Sequence, residues 1–457
     1  MRLSELFKER PGMVPSDPLV DPILTGVAHD SRAVEPGDLF VALAGERHDG
    51  HAFVASAFGR GAAAAIVAEG RGAFPGPVVA VRDPLAALGR LAAEWRARFA
   101  LPLAVVVGSN GKTTVKEMTA SILRAAFGAE ATLATAGNFN NAIGLPLTLL
   151  RLSHGHRVAV VEVGMNHRGE TRELTAIARP TIVAINNAQR EHQEFLASVA
   201  EVAAEHADAI AALPRGGIAV LNADDAWCGL WREAAARAFA EVRTFALHNA
   251  AHVTARLTPA GLGSELALAT PEGSATVRLA AAGEPMARNA LAAAAIALAA
   301  DAPLDCVVRG LEAFRPVAGR LATARAASGA IVIDDTYNAN PDSVRAAIDV
   351  LARAGGRRWL VLGDMGEVGA QGPAWHREIG GYARERGVER LDATGELARE
   401  AVEAFGAGAH WHPGIDALIA AVVPGATAGT TLLVKGSRFM RMERVVASLT
   451  GAAPGGH

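Results

Sequence analysis

The chain is poor in cysteine, in aromatic side chains and in net charge. Its two cysteines, Cys228 and Cys306, have no CxxC spacing, which excludes a disulfide framework and a cysteine-built zinc site and fits a reducing compartment, the cytoplasm. A formal charge of -3 with both signs interspersed gives no footprint for nucleic acid or an anionic membrane. The first ten residues, MRLSELFKER, place charges among their apolar positions, unlike a signal peptide. The most apolar helical stretch, residues 289–300, lies between Arg288 and Asp301; it is shorter than the roughly 20 residues that span a bilayer and reads as a buried helix.

What is present is an alanine-rich globular composition, 51% hydrophobic and 20% charged over 457 residues, more than one core serves, so two or three domains are expected. Residues 1–83 hold short apolar runs (39–43, 64–67) between glycine-rich turns and read as a small α/β domain. Leu85, Leu88, Leu91, Trp95 and Phe99 recur at helical spacing before Pro102, placing a boundary near residue 84. Residues 84–315 alternate helical runs with buried strands at 103–107, 158–163, 181–185 and 218–221, the pattern of a parallel sheet. Residues 316–457, with strands at 331–333, 359–362 and 432–434, read as a second doubly wound, Rossmann-like domain facing the first across a cleft.

The stretch Val107-Gly108-Ser109-Asn110-Gly111-Lys112-Thr113-Thr114 runs strand, glycine turn, helix start, the context a nucleotide phosphate loop requires. Its N–H groups can cradle phosphate, Lys112 can offset the transferable phosphate, and the Thr113 hydroxyl can ligate Mg²⁺. Val106 stands where the longer pattern has glycine, so the match is to the GxxGK[ST] core; the plainer alternative is a βα turn with a surface lysine. Glu162 ends an apolar strand, where a lone carboxylate needs a partner such as Mg²⁺ unless it faces solvent. His192 follows the Asn186-Asn187 turn at an equivalent strand end, and Asp334 and Asp335 close a strand in the third block. Arg320 and Lys435 sit where the chain leaves regular structure; they suit either a phosphoryl group in flight or plain solvation.

These residues fall in an ordered set of motifs: His29-Asp30-Ser31-Arg32, Gly37-Asp38-Leu39-Phe40, Asp49-Gly50-His51, the phosphate loop, Thr135-Ala136-Gly137-Asn138-Phe139-Asn140-Asn141, Glu162-Val163-Gly164-Met165, Asn186-Asn187 with His192, Gly319-Arg320, Asp334-Asp335 with Tyr337-Asn338-Ala339-Asn340-Pro341, Leu362-Gly363-Asp364-Met365-Gly366-Glu367, and Lys435-Gly436-Ser437-Arg438. The set resembles the Mur ligases of bacterial cell-wall synthesis, over about residues 28–449. The resemblance implies three domains that bind a UDP-linked substrate, bind ATP, and close over the nucleotide. It implies that ATP phosphorylates the carboxylate of UDP-N-acetylmuramoyl-tripeptide and that D-alanyl-D-alanine attacks the acyl phosphate, in a monomeric enzyme.

By the same resemblance Lys112 meets the β- and γ-phosphates, Thr113 and Glu162 hold the first Mg²⁺, and His192 holds a second. Asn289 contacts adenine, Arg320 the phosphates and Asp335 the ribose. Ser31 and Arg32 lie on the uridine side, Asn138 and Asn141 at the sugar and diphosphate, and Thr135, Tyr337, Asn338 and Asn340 along the substrate. Two departures stand out. His206 occupies the place, fourteen residues after His192, of a lysine carboxylated to a carbamate, leaving the second Mg²⁺ to water, to His192, or to Glu205 or Asp208. Pro285 replaces a histidine often found before the adenine-side asparagine. A folylpolyglutamate-synthetase-like ligase, a phosphate-loop switch that makes no bond, and a catalytically retired scaffold are the competing readings.

Overall fold

The computed structural model describes residues 2–3, 21–45, 48–191 and 193–451. Three sheets, one per domain, organise the chain. In the first, strands Gly26–Ala28, Asp38–Val41, Ala64–Ala68 and Val78–Val81 run parallel in chain order. Leu39, Val41, Ile66 and Val79 turn to one face and pack on Ala87, Leu88 and Leu91, the apolar stripe of helix Pro84–Arg96. Asp83 starts that helix by accepting from the N–H groups of Leu85 and Ala86 at 2.9 and 3.1 Å, and Pro84 fills the position where a missing N–H costs nothing. The helix stops at Arg96 and does not extend to Phe99. The buried Arg96 guanidinium there donates to the carbonyls of Phe99, Leu101, Ala178 and Arg179, which ties the chain's turn into the next strand to the end of helix Glu170–Ala178.

The second sheet has nine strands. Its centre, Leu103–Val107, lies between Val158–Glu162 and Ile182–Ile185, parallel to both, and every residue of these three strands is buried. The chain visits one side of the central strand and then the other, which opens a crevice at the carboxyl ends of the strands. Helix Glu284–Ala299 is apolar all round and buried almost throughout, packed in the core between sheet and neighbouring helices. Sequence periodicity did not reveal the antiparallel ribbon Val253–Ala260, Gly263–Thr270 and Gly273–Leu279 at the sheet's edge. Each ribbon strand interleaves exposed or half-buried positions with buried ones, so none reads as a continuous apolar run.

The third sheet has six strands, in order Ala322–Arg325, Ile331–Asp335, Thr430–Lys435, Arg357–Leu362, Arg390–Thr394 and Ala409–His412. All neighbours are parallel except the first pair. Its strand ends face those of the central sheet across a cleft of about 820 Å³ lined from both domains.

Candidate active site

The phosphate loop is shaped by its neighbours as much as by its own glycines. Gly108 and Gly111 take φ of 137° and 83°. A Cβ on Gly108 would lie 3.0 Å from Asn186 Cβ, and one on Gly111 would lie 2.4 Å from Asn289 Oδ1, so both positions need glycine for conformation and for space. Asn186 and Asn187 each donate to the Asn110 carbonyl, at 2.7 and 2.9 Å. Asn187 accepts from the N–H groups of Asn110 and Ser109, and Ser109 Oγ accepts from Gln189 N. Lys112, first residue of helix Lys112–Phe127, folds its ammonium onto the carbonyls of Gly108 and Ser109 at 2.5 and 3.2 Å. It is a cation parked at the mouth of a ring of backbone donors.

Beside it, Thr113 Oγ1 donates to Glu162 Oε2 at 2.7 Å and Asn140 Nδ2 donates to Oε1 at 2.7 Å; Thr135 Oγ1 accepts from Glu162 N at 3.0 Å. Glu162 is 2% exposed. A buried carboxylate backed by a hydroxyl presents hard oxygen donors to the loop, the donor set that suits Mg²⁺. Among the described residues no group of three or more His, Cys, Asp or Glu could hold a metal. A cation here would take its remaining ligands from water and phosphate oxygens, as Mg²⁺ does beside a nucleotide.

The opposite wall comes from the third sheet. Lys435 donates to Asp335 Oδ2 at 2.5 Å and to the Asn338 carbonyl at 2.9 Å, and Leu321 N donates to Asp335 Oδ1. Burial pushes the Asp335 carboxyl above its usual range, opposed by Lys435. Arg320 sits over the Tyr337 ring, its guanidinium carbon 4.0 Å from the centroid, and both line the cleft. Asn340 caps helix Pro341–Ala352, and its Nδ2 reaches Asn110 Oδ1 at 3.0 Å. Asn138 Nδ2 donates to Tyr337 Oη at 3.0 Å. Arg190, in the loop after Ile182–Ile185, grips Asp342 and Glu378 at 2.6 and 2.7 Å. The contacts of Asn340, Asn138 and Arg190 join the C-terminal wall to the central domain.

Three family descriptions match successive parts of the chain: "Mur ligase family, catalytic domain" over residues 23–96, "Mur ligase middle domain" over 106–297, and "Mur ligase, glutamate ligase domain" over 319–438. The chain belongs to the Mur ligase family. A relative from Escherichia coli K12, called UDP-N-acetylmuramoyl-tripeptide–D-alanyl-D-alanine ligase, is 38% identical over 441 residues, covering 94% of each chain. A Bacillus subtilis protein of the same name is 33% identical over 442 residues, 93% of each. A solved MurF structure from Acinetobacter baumannii superposes with a TM-score of 0.89 at 33% identity, covering 98% of both chains. A Mycobacterium tuberculosis folylpolyglutamate synthase at 20% identity, TM-score 0.66, shares the fold alone.

In this Mur ligase the cleft gathers Ser109, Asn110, Gly111, Lys112, Thr114, Glu162, Asn141, Asn289, Arg320, Asp335, Tyr337, Asn338, Asn340 and Lys435. Gly108, Thr113, Thr135 and Asn138 stand directly behind it through the bonds above. Asn289 is turned to the loop: its Oδ1 accepts from Asn186 at 3.0 Å. Asn141 spends its Oδ1 on the N–H groups of Ile143 and Gly144. Ser31 and Arg32 lie on the first domain, outside the cleft lining; the Asp30 carboxyl is held down at about 2 by its bonds to Arg32. His192 lies outside the described residues.

One expectation is corrected. Glu205 and Asp208 are not metal donors here. Glu205 accepts from Gly169 N and Thr171 N at 3.0 and 2.9 Å, neutralising the N-terminus of helix Glu170–Ala178, and Asp208 faces Arg172 at 3.5 Å. Sequence reasoning missed Glu191, whose Oε2 lies 3.5 Å from Lys112, although the strand-end logic that singled out His192 applied equally to its neighbour. It also missed Lys116, fully buried and donating to the Thr135 carbonyl at 2.8 Å and to that of Gly137 at 3.4 Å. The chain contains only four lysines, at 8, 112, 116 and 435. In a sequence that otherwise uses arginine for positive charge, Lys112 and Lys435 line the cleft and Lys116 lies behind it, each a compact ammonium rather than a planar fork.

Proposed function

We propose that this Mur ligase joins D-alanyl-D-alanine to the free carboxylate of UDP-N-acetylmuramoyl-tripeptide at the expense of ATP, as a cytoplasmic monomer. The observation that carries the reading is the Thr113–Glu162 pair beside the phosphate loop, on the floor of a cleft whose far wall brings Arg320 and Lys435. The names of the 38% and 33% identical relatives supply the substrates. No described helix is long and apolar enough to cross a membrane.

The terminal phosphoryl group of ATP passes to the carboxylate, giving an acyl phosphate and ADP. The amine, its ammonium proton passed to water, adds to the acyl carbon, and the tetrahedral adduct gives a second proton to water and collapses to amide and inorganic phosphate. Lys112 moves from its own loop carbonyls onto the phosphates, and the N–H groups of residues 111–113, at the start of the helix, hold the oxygens. Thr113 and Glu162 would hold Mg²⁺, which supplies positive charge at the phosphate oxygens. Arg320 lies on the opposite wall, placed to meet charge that develops on the transferring group.

The test is phosphate release from Mg-ATP with UDP-N-acetylmuramoyl-tripeptide, with and without D-alanyl-D-alanine, in the native protein and Lys112→Ala. Release that needs both co-substrates and vanishes in the variant is expected. Release indifferent to D-alanyl-D-alanine would overturn the substrate assignment.

A further inference from the structure

A buried acid and a buried imidazole stand against the phosphate loop, apart from the Thr113–Glu162 pair and from the C-terminal wall. Glu191, 8% exposed at its side chain, places Oε2 3.5 Å from Lys112 Nζ and Oε1 3.3 Å from His206 Nε2. His206 projects from helix Val199–Asp208 and is 2% exposed. Neither of its ring nitrogens makes a hydrogen bond among the described residues. Leaving an imidazole buried in this state is unfavourable, and the Glu191 carboxylate, which lines the cleft, lies within reach of it.

We propose that Glu191 supplies a carboxylate oxygen to a second divalent cation at the terminal phosphate, with His206 anchoring that carboxylate from behind. The proposal rests on the reading that the cleft binds Mg-ATP. Once Lys112 shifts to the phosphates, Glu191 loses the ammonium that now faces it and is left beside a polyanion. A divalent cation between the two removes that repulsion and takes the oxygen ligands it prefers. The imidazole is the wrong donor for such an ion and sits behind the acid, where an N–H to a ligating carboxylate fixes its orientation. Glu205 and Asp208 are engaged elsewhere. Lys116 is held by loop carbonyls and Lys435 by Asp335, so neither of these two lysines is available to carry an added carboxyl group.

The experiment titrates Mn²⁺ into protein saturated with β,γ-methylene-ATP and counts free Mn²⁺ by electron paramagnetic resonance, so it needs no turnover. Two bound Mn²⁺ are expected for the native protein and one for Glu191→Gln, with the analogue still bound. His206→Asn should keep both sites but weaken the second by about tenfold, the usual cost of removing a group that orients a ligand. Two sites of native affinity in Glu191→Gln, or a single site in the native protein, would overturn the proposal and leave the proposed ligase standing. A native protein that binds no analogue would instead sink the ligase reading. Should Glu191→Gln fail to fold, Glu191→Asp decides: its carboxylate is one methylene short, so a weakened second site supports the proposal and an undiminished one overturns it.

Discussion

Arg190 is the cleft's principal charged clasp, and cutting it should open the enzyme without unfolding it. Its Nε and one terminal nitrogen meet Asp342 Oδ1 at 3.0 and 2.6 Å, its backbone N–H meets Oδ2 at 2.8 Å, and its guanidinium takes both Glu378 oxygens at 2.7 and 3.1 Å. Burial works against the charge, yet these two carboxylates raise the Arg190 pKa above its ordinary value. The side chains are 21%, 24% and 32% exposed, so solvent screens them part-way. A value between that of an exposed pair and that of a buried charged hydrogen bond, roughly 1 kcal/mol per carboxylate, is appropriate. Arg190→Ala should then cost closure about 2 kcal/mol, roughly thirtyfold in the open–closed equilibrium. The apparent affinity for the UDP substrate should weaken by up to that factor, since only the closed form has both walls in place. Small-angle scattering of the unliganded protein should show a larger radius of gyration, while each domain keeps its melting transition. Unchanged scattering and an unchanged KM would refute the reasoning. So would full additivity of Arg190→Ala with Asp342→Ala, because partners in one bond must couple.

Three further outcomes follow from single side chains. Lys116→Met leaves the carbonyls of Thr135 and Gly137 without their buried donor and should lower stability by about 1–3 kcal/mol, read as a lower denaturation midpoint; Lys116→Arg should not restore it, the pocket being shaped for an ammonium. Glu162→Gln removes a buried charge while keeping a side chain of the same size, so the unliganded protein should melt no lower than native, whereas phosphate release should fall by at least about a hundredfold for want of a metal ligand; near-native turnover would exclude Glu162 from the metal site. Asp392 is buried, which by itself would raise its pKa, but Arg390, His412 and Trp359 bond to it and hold it below the ordinary range. A depressed carboxylate contributes stability above the unfolded pKa, about 3.9, that is lost as pH falls through the folded value. Native protein should therefore exceed Asp392→Asn in the C-terminal melting transition near pH 6, with the gap closing below about pH 4; a gap independent of pH would contradict this.

What could be read from sequence was local in origin. The strand, glycine turn and helix start of residues 103–114 lie next to one another in the chain, so the phosphate loop was legible, and the lone acid in an apolar strand gave Glu162. The cradle that shapes the loop was legible only as a motif: Asn186 and Asn187 act on Asn110 from more than 70 positions away, and nothing in their own surroundings announces that. The same limit explains Glu205. On helix Val199–Asp208 it was an acid one residue from His206 and looked available to a cation, but the unpaired N–H groups of a different helix had already claimed it. Glu191 and Arg190 are adjacent in one loop and face opposite ways, one toward Lys112 of the phosphate loop and one toward the C-terminal wall, and no spacing rule separates them. The exposed ribbon at residues 253–279 was illegible for the opposite reason, since exposed or half-buried positions interleave its buried ones and a strand pattern needs burial to show. Lysine usage is the exception, a global property that marks the site. Where arginine would serve for charge alone this chain uses arginine, so the lysines at 112, 116 and 435 mark positions at which the shape of the cation matters as much as its sign.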